Sequence, residues 1–157
     1  MKLENIKNFM SVTSKLATAG QPSQSQLKEI DDAGFEVIIN LGLLDSKCCI
    51  SDEAGLIQSF GLEYHHIRVN FQTPKLENLQ NFFSIMDRVK DKKVFVHCAA
   101  NKRVSIFVSL YGEAKLNWSR EKSDTIIKQI WQPDEVWYSF IAYARQELKL
   151  TNQHYQT

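Results

Sequence analysis

Val94-Phe95-Val96-His97-Cys98-Ala99-Ala100-Asn101-Lys102-Arg103-Val104-Ser105 joins a β-branched run to a cysteine, a short loop, and a segment that stays apolar nearly all round as far as Ala114. Strand, tight loop and helix in that order make an anion site. N–H groups of the loop and of the first helical turn point at one centre, and the helix dipole favours negative charge there. The same field favours the thiolate of Cys98, which turns an ordinary thiol into a nucleophile. Ala99 and Ala100 leave the backbone approachable, and Arg103 can add a planar, forked grip on a phosphate. A helix without a polar face belongs inside a domain, so this unit is expected at the centre of the fold.

The flanking sequence supplies the layers around it. Leu16 to Gly20 reads as a short strand, and Gln21-Pro22-Ser23 as the start of a helix that runs to Ala33. Gly34 stands where a left-handed cap is wanted, and Phe35 to Leu41 follows as a buried strand. Ser51-Asp52-Glu53 opens a helix to Phe60, Gly61 stops it, and Leu62 to Val69 is another strand. From Leu76, the residues Leu79, Phe82, Phe83, Met86 and Val89 recur at helical spacing. After the central helix come two more, Ser119 to Ile130 and Pro133 to Leu150, with Pro133 in the first turn of the second. Trp118, Trp131 and Trp137 read as packing among these last helices. Strands alternating with helices predict an α/β fold: a central, mainly parallel sheet of four to five strands with helices on both faces.

Composition narrows the function classes. With 157 residues the chain fits a single domain over 1–157, with 151–157 expected to fray. Lys plus Arg number 19 against 18 for Asp plus Glu, so no global field draws the chain to nucleic acid or to an anionic membrane, and neither is an expected partner. Three cysteines, two of them adjacent at Cys48 and Cys49, do not make a disulfide framework. Together with an N-terminal segment lacking an apolar core, they predict a cytoplasmic protein. His65 and His66 fall on opposite faces of their strand and cannot chelate together, so neither a metal nor another cofactor is expected.

His97-Cys98 followed by arginine and serine on a strand–loop–helix unit resembles the cysteine-dependent protein tyrosine and dual-specificity phosphatases. Ala19 to Ser23, Phe35 to Leu41 and Tyr64 to Val69 are similar to the early part of the small dual-specificity fold. More narrowly, the chain resembles a bacterial group of compact, uncharacterised phosphatase-like proteins, sometimes fused to metallo-β-lactamase-like hydrolases. The resemblance implies hydrolysis of phosphate monoesters of the phosphotyrosine type through a phosphocysteine at Cys98, on a phosphorylated substrate. It implies Arg103 as phosphate clamp, Ser105 as the hydroxyl that stabilises the departing thiolate, and a cradle from Ala99, Ala100, Asn101, Lys102, Arg103, Val104 and Ser105 able to seat phosphate or sulfate. His97 would orient the loop.

Two departures from the family pattern bear on activity. Four residues separate Cys98 from Arg103, one fewer than in the family, so either Arg103 or Val104 fills the arginine slot. The upstream acid of the family falls near Asn70-Phe71-Gln72-Thr73, where there is no carboxylate. Asn70 holds that position, an amide cannot donate a proton as a general acid, and Glu77 is the nearest substitute. Trp131-Gln132-Pro133-Asp134 mimics the acid loop of the classical enzymes but lies downstream of the cysteine and reads as a helix start. Two alternatives stay open: a pseudophosphatase that binds phosphorylated ligands without turnover, and a rhodanese-like sulfurtransferase, whose loop shares the shorter spacing.

Overall fold

The computed structural model describes residues 3–43 and 50–150. Cys48, Cys49 and the tail expected to fray lie outside the described residues. After a turn of 3-10 helix at Leu3–Asn5, the elements are β1 (Met10–Thr13), β2 (Leu16–Ala19), α1 (Gln24–Asp32), β3 (Val37–Asn40), α2 (Glu53–Ser59) and β4 (Glu63–His66). They continue with α3 (Leu76–Arg88), β5 (Val94–His97), α4 (Lys102–Lys115), α5 (Arg120–Ile130) and α6 (Glu135–Glu147). The strands form one sheet in the order β1-β2-β5-β3-β4. Of the strand pairs among the described residues, β1–β2 is antiparallel and the other three are parallel.

Strand periodicity divides the core. Along β5, Val94, Val96 and Cys98 enter one apolar cluster and Phe95 the other; along β3, Val37, Ile39 and Leu41 oppose Ile38 in the same way. The larger cluster is completed by α3, α4, α5 and α6, the smaller by α1, α2 and Ile6. Local signals set the boundaries. Ser23 and Gln26 form a capping box on α1, and Gly34 and Gly61 turn the chain at φ 91 and 83. Buried continuously from Arg103 to Glu113, α4 is the central helix that its sequence predicts.

Two expectations need correction. Met10–Thr13, read as part of a polar start, is an edge strand; it alternates between half-buried and exposed residues and is broken by a bulge between Ser11 and Thr13. Pro133 is not in the first turn of the last helix: Asp134 is the N-cap, its carboxylate accepting from Trp137 N at 3.0 Å, and Pro133 precedes it.

Packing against the central helix leaves no room at Gly112, where an added Cβ would lie 1.9 Å from Cε3 of the buried Trp118 ring. Gly112→Ala gains about 1 kcal/mol of helix propensity but forces the indole from its site, an overpacking cost of about 3 kcal/mol. The expected outcome is a net loss of about 2 kcal/mol, read as a Tm lowered by roughly 4–8 °C.

Candidate active site

Because β5 is central and parallel to both neighbours, its C-terminal end opens between two strand ends, the position where α/β sheets bind ligands. His97 pairs in register with Ala19 on one side and Asn40 on the other, so Gly20 and the Leu41–Gly42 turn flank Cys98. Both glycines are close to the loop. A Cβ on Gly20 would come within 2.6 Å of Ala99 O, and one on Gly42 within 3.7 Å of Cys98 Cα. His66 Nε2 contacts Gly42 O at 2.7 Å and braces that side.

From Cys98 the chain passes through Asn101, held left-handed at φ 67, into α4. Asn101 Nδ2 donates to Asn8 O and to Thr18 Oγ1, tying the turn to the first strands. The loop carbonyls are taken up from outside: Gln21 N donates to Ala99 O at 3.0 Å and Asn8 Nδ2 to Ala100 O at 2.9 Å. Among the described residues, the N–H groups of Ala99, Ala100, Lys102, Arg103 and Val104 find no protein acceptor. Ser105 N–H is not one of these free donors, since it makes the first intrahelical bond, to Asn101 O. Cys98 itself is 1% exposed and lines the floor.

Arg103 and Val104 diverge. Val104 is fully buried in the larger apolar cluster. Arg103, 7% exposed, donates from Nη1 to Val69 O at 2.9 Å, its Cζ lies 6.0 Å from the centroid of the Phe71 ring, and its buried Nε has no partner. Ser105 Oγ donates to Lys102 O and accepts from Trp131 Nε1. Lys102 is exposed, with Nζ over the Trp131 ring. Asn70 is exposed too; its Oδ1 accepts from Gln72 N, closing a turn at residues 70–73. Glu77 is exposed on the first turn of α3.

Trp131 and Trp137 do more than pack the last helices together. Both rings lie against Phe71, and Trp137 Nε1 donates to Phe71 O at 2.8 Å, so the two indoles hold the 70–73 turn beside the loop.

One residue of the site has no counterpart in the sequence reading beyond helix capping. Glu53, 3% exposed, sits beneath the loop and meets fully buried His97, whose Nε2 is 2.8 Å from Oε2. Gln21 Nε2, Tyr64 O–H and Asn40 Nδ2 also donate to this carboxylate. Burial works to raise its pKa, but the His97 hydrogen bond and charge, with Gln21 and Tyr64, hold it below the ordinary 4.5. Tyr64 is pushed upward by burial and by the adjacent carboxylate. A helical signal for Glu53 existed: it lies four residues before Ile57, on the buried face of α2.

Comparison with known proteins agrees with this geometry. A family described as "DSP-PTPase phosphatase fused to NAD+ Kinase" matches residues 4–140. A putative phosphatase (DUF442) from Shewanella putrefaciens CN-32 is 30% identical, with a TM-score of 0.84 over 93% of this chain and 96% of that one. At 16% identity, kinase associated phosphatase, solved with its catalytic-site cysteine replaced by serine, shares the fold at a TM-score of 0.74 over 85% and 87% of the two chains. So does the core catalytic domain of a PP-IP phosphatase from S. cerevisiae in complex with citrate, at 15% identity and a TM-score of 0.74 over 92% and 90%. A search of curated protein sequences found no match. Among the described residues no helix is long and apolar enough to cross a membrane. With a family match over most of its length and a relative at 30% identity along nearly all of it, the chain belongs to the dual-specificity and tyrosine-phosphatase-like family of DUF442 phosphatases.

Proposed function

We propose that the chain hydrolyses phosphate monoesters of the phosphotyrosine type through a phosphocysteine at Cys98, with no metal or cofactor. The observation that carries this reading is the coincidence, around one thiol, of five free amides and the unpartnered buried Nε of Arg103. Cys98 Sγ attacks phosphorus, forming an S–P bond as the ester P–O bond breaks, and the departing oxygen takes up a proton. Water then cleaves the S–P bond, releasing inorganic phosphate and regenerating the thiolate. The amides and Arg103 hold the non-bridging oxygens through both steps, an electrostatic stabilisation aimed at the charge of the transition state. Cys98→Ser is expected to cut phosphate release from p-nitrophenyl phosphate at least about 1000-fold. Mass spectrometry of acid-quenched wild type is expected to find phosphate on the peptide holding Cys98. Equal turnover by Cys98→Ser would overturn the reading.

A pseudophosphatase is favoured by one observation: residues 69–73 offer no carboxylate, and Asn70 is committed to its own turn. Tight vanadate binding without Cys98-dependent phosphate release would decide for it. The sulfurtransferase reading has no such support, since the solved relatives named above are phosphatases.

A further inference from the structure

A cradle of amides works only if its peptide planes are fixed. In a trans peptide the C=O and N–H point in opposite directions, so whatever anchors a loop carbonyl also aims the next residue's N–H. His97 Nδ1 lies 3.3 Å from Cys98 O, which aims the N–H of Ala99. Gln21 N donates to Ala99 O, which aims the N–H of Ala100. Both anchoring residues end on one carboxylate: His97 Nε2 on Oε2 of Glu53 at 2.8 Å, and Gln21 Nε2 on Oε1 at 2.7 Å. Tyr64 and Asn40 brace the same carboxylate. Asn40 also accepts from Gly42 N at 2.8 Å, on the far side of the loop.

We propose that Glu53 is the positioning residue of the phosphate loop, setting the orientation of the Ala99 and Ala100 amides through His97 and Gln21. It touches neither substrate nor thiol. This proposal rests on the hydrolytic reading for its kinetic consequences, but the aim of the amides can be measured without turnover.

The experiment compares wild type, Glu53→Gln and Gln21→Ala by amide NMR, vanadate affinity and steady-state hydrolysis of p-nitrophenyl phosphate. In Glu53→Gln the Ala99 and Ala100 resonances are expected to shift or broaden while those of α3 and α6 stay in place. Vanadate Kd is expected to rise about tenfold, and kcat to fall about 30-fold with KM within about threefold, because misaimed donors cost transition-state binding above all. Gln21→Ala, at a half-buried site that removes one arm only, is expected to give about a third of the Kd effect and to move Ala100 more than Ala99. A residue that merely stabilised the fold would lower Tm and leave these readouts alone. Unmoved amides with vanadate Kd within about twofold of wild type, in either variant, would overturn the proposal. Should Glu53→Gln fail to fold, Gln21→Ala carries the test alone. Moved amides in a wild-type background without turnover would sink the hydrolytic reading and leave Glu53 as the loop's positioning residue.

Discussion

Arg103→Ala is expected to weaken vanadate binding about 100-fold, and Arg103→Lys about tenfold, in proteins that still fold. A hydrogen bond from a charged donor is worth about 1.5–3 kcal/mol, and each 1.4 kcal/mol is a factor of ten in Kd. Loss of a two-pronged grip therefore amounts to about two decades. Lysine keeps the charge but lacks the planar fork, and it cannot hold Val69 O and an oxyanion at fixed angles together. The guanidinium is already oriented by Val69 O and the Phe71 ring, so the unpartnered Nε needs no reorganisation to meet an anion. Isothermal titration with vanadate checks both variants, and thermal unfolding verifies their integrity. Unchanged affinity in Arg103→Ala would return the arginine slot to Val104, whose side chain offers only methyl groups within the apolar core.

The one-residue shortening between Cys98 and Arg103 left the slot open in sequence because spacing alone does not give helical phase. Phase came from packing: consecutive residues on α4 project about 100° apart, and the core took Val104 while Arg103 was left facing residues 69–71. What could be read in advance was what is local. The β-branched run of β5, the apolar α4 and the glycine stops at Gly34 and Gly61 carry their signals within a few residues. What could not be read was what is distant or edge-bound. β1 pairs on one side alone, through a ladder broken by a bulge, and has no apolar alternation strong enough to stand out. Glu53 meets His97 across 44 positions, and Trp137 meets Phe71 across 66. No periodicity links such pairs; they meet because α2 and α6 lie on opposite faces of the same sheet end. Ser105 adds another distant partner: its hydroxyl accepts from the Trp131 indole across 26 positions.

Asn70→Asp is expected to accelerate hydrolysis of alkyl phosphates by about 10²–10⁴, the range general acid catalysis supplies, while changing p-nitrophenyl phosphate turnover by less than about threefold. The difference lies in the leaving group. A nitrophenolate departs as a stable anion, whereas an alkoxide must gain a proton as it leaves, and an amide has none to give. Wild type is accordingly expected to favour phosphotyrosine strongly over phosphoserine. The substitution is conservative for the turn, because the hydrogen bond that Asn70 Oδ1 accepts from Gln72 N can be accepted by a carboxylate oxygen, leaving the second oxygen to carry the proton. Residue 70 directly follows Val69, whose carbonyl accepts from Arg103, the residue proposed above to hold the phosphate oxygens. A general acid works only when protonated. The variant's rate on alkyl phosphates is therefore expected to fall as pH rises through the new aspartate's pKa, a limb absent from wild type. Glu77→Gln is the control on the other exposed carboxylate near this turn: a large loss of alkyl phosphate turnover in that variant, with Asn70→Asp inert, would move the proton donor to the first turn of α3.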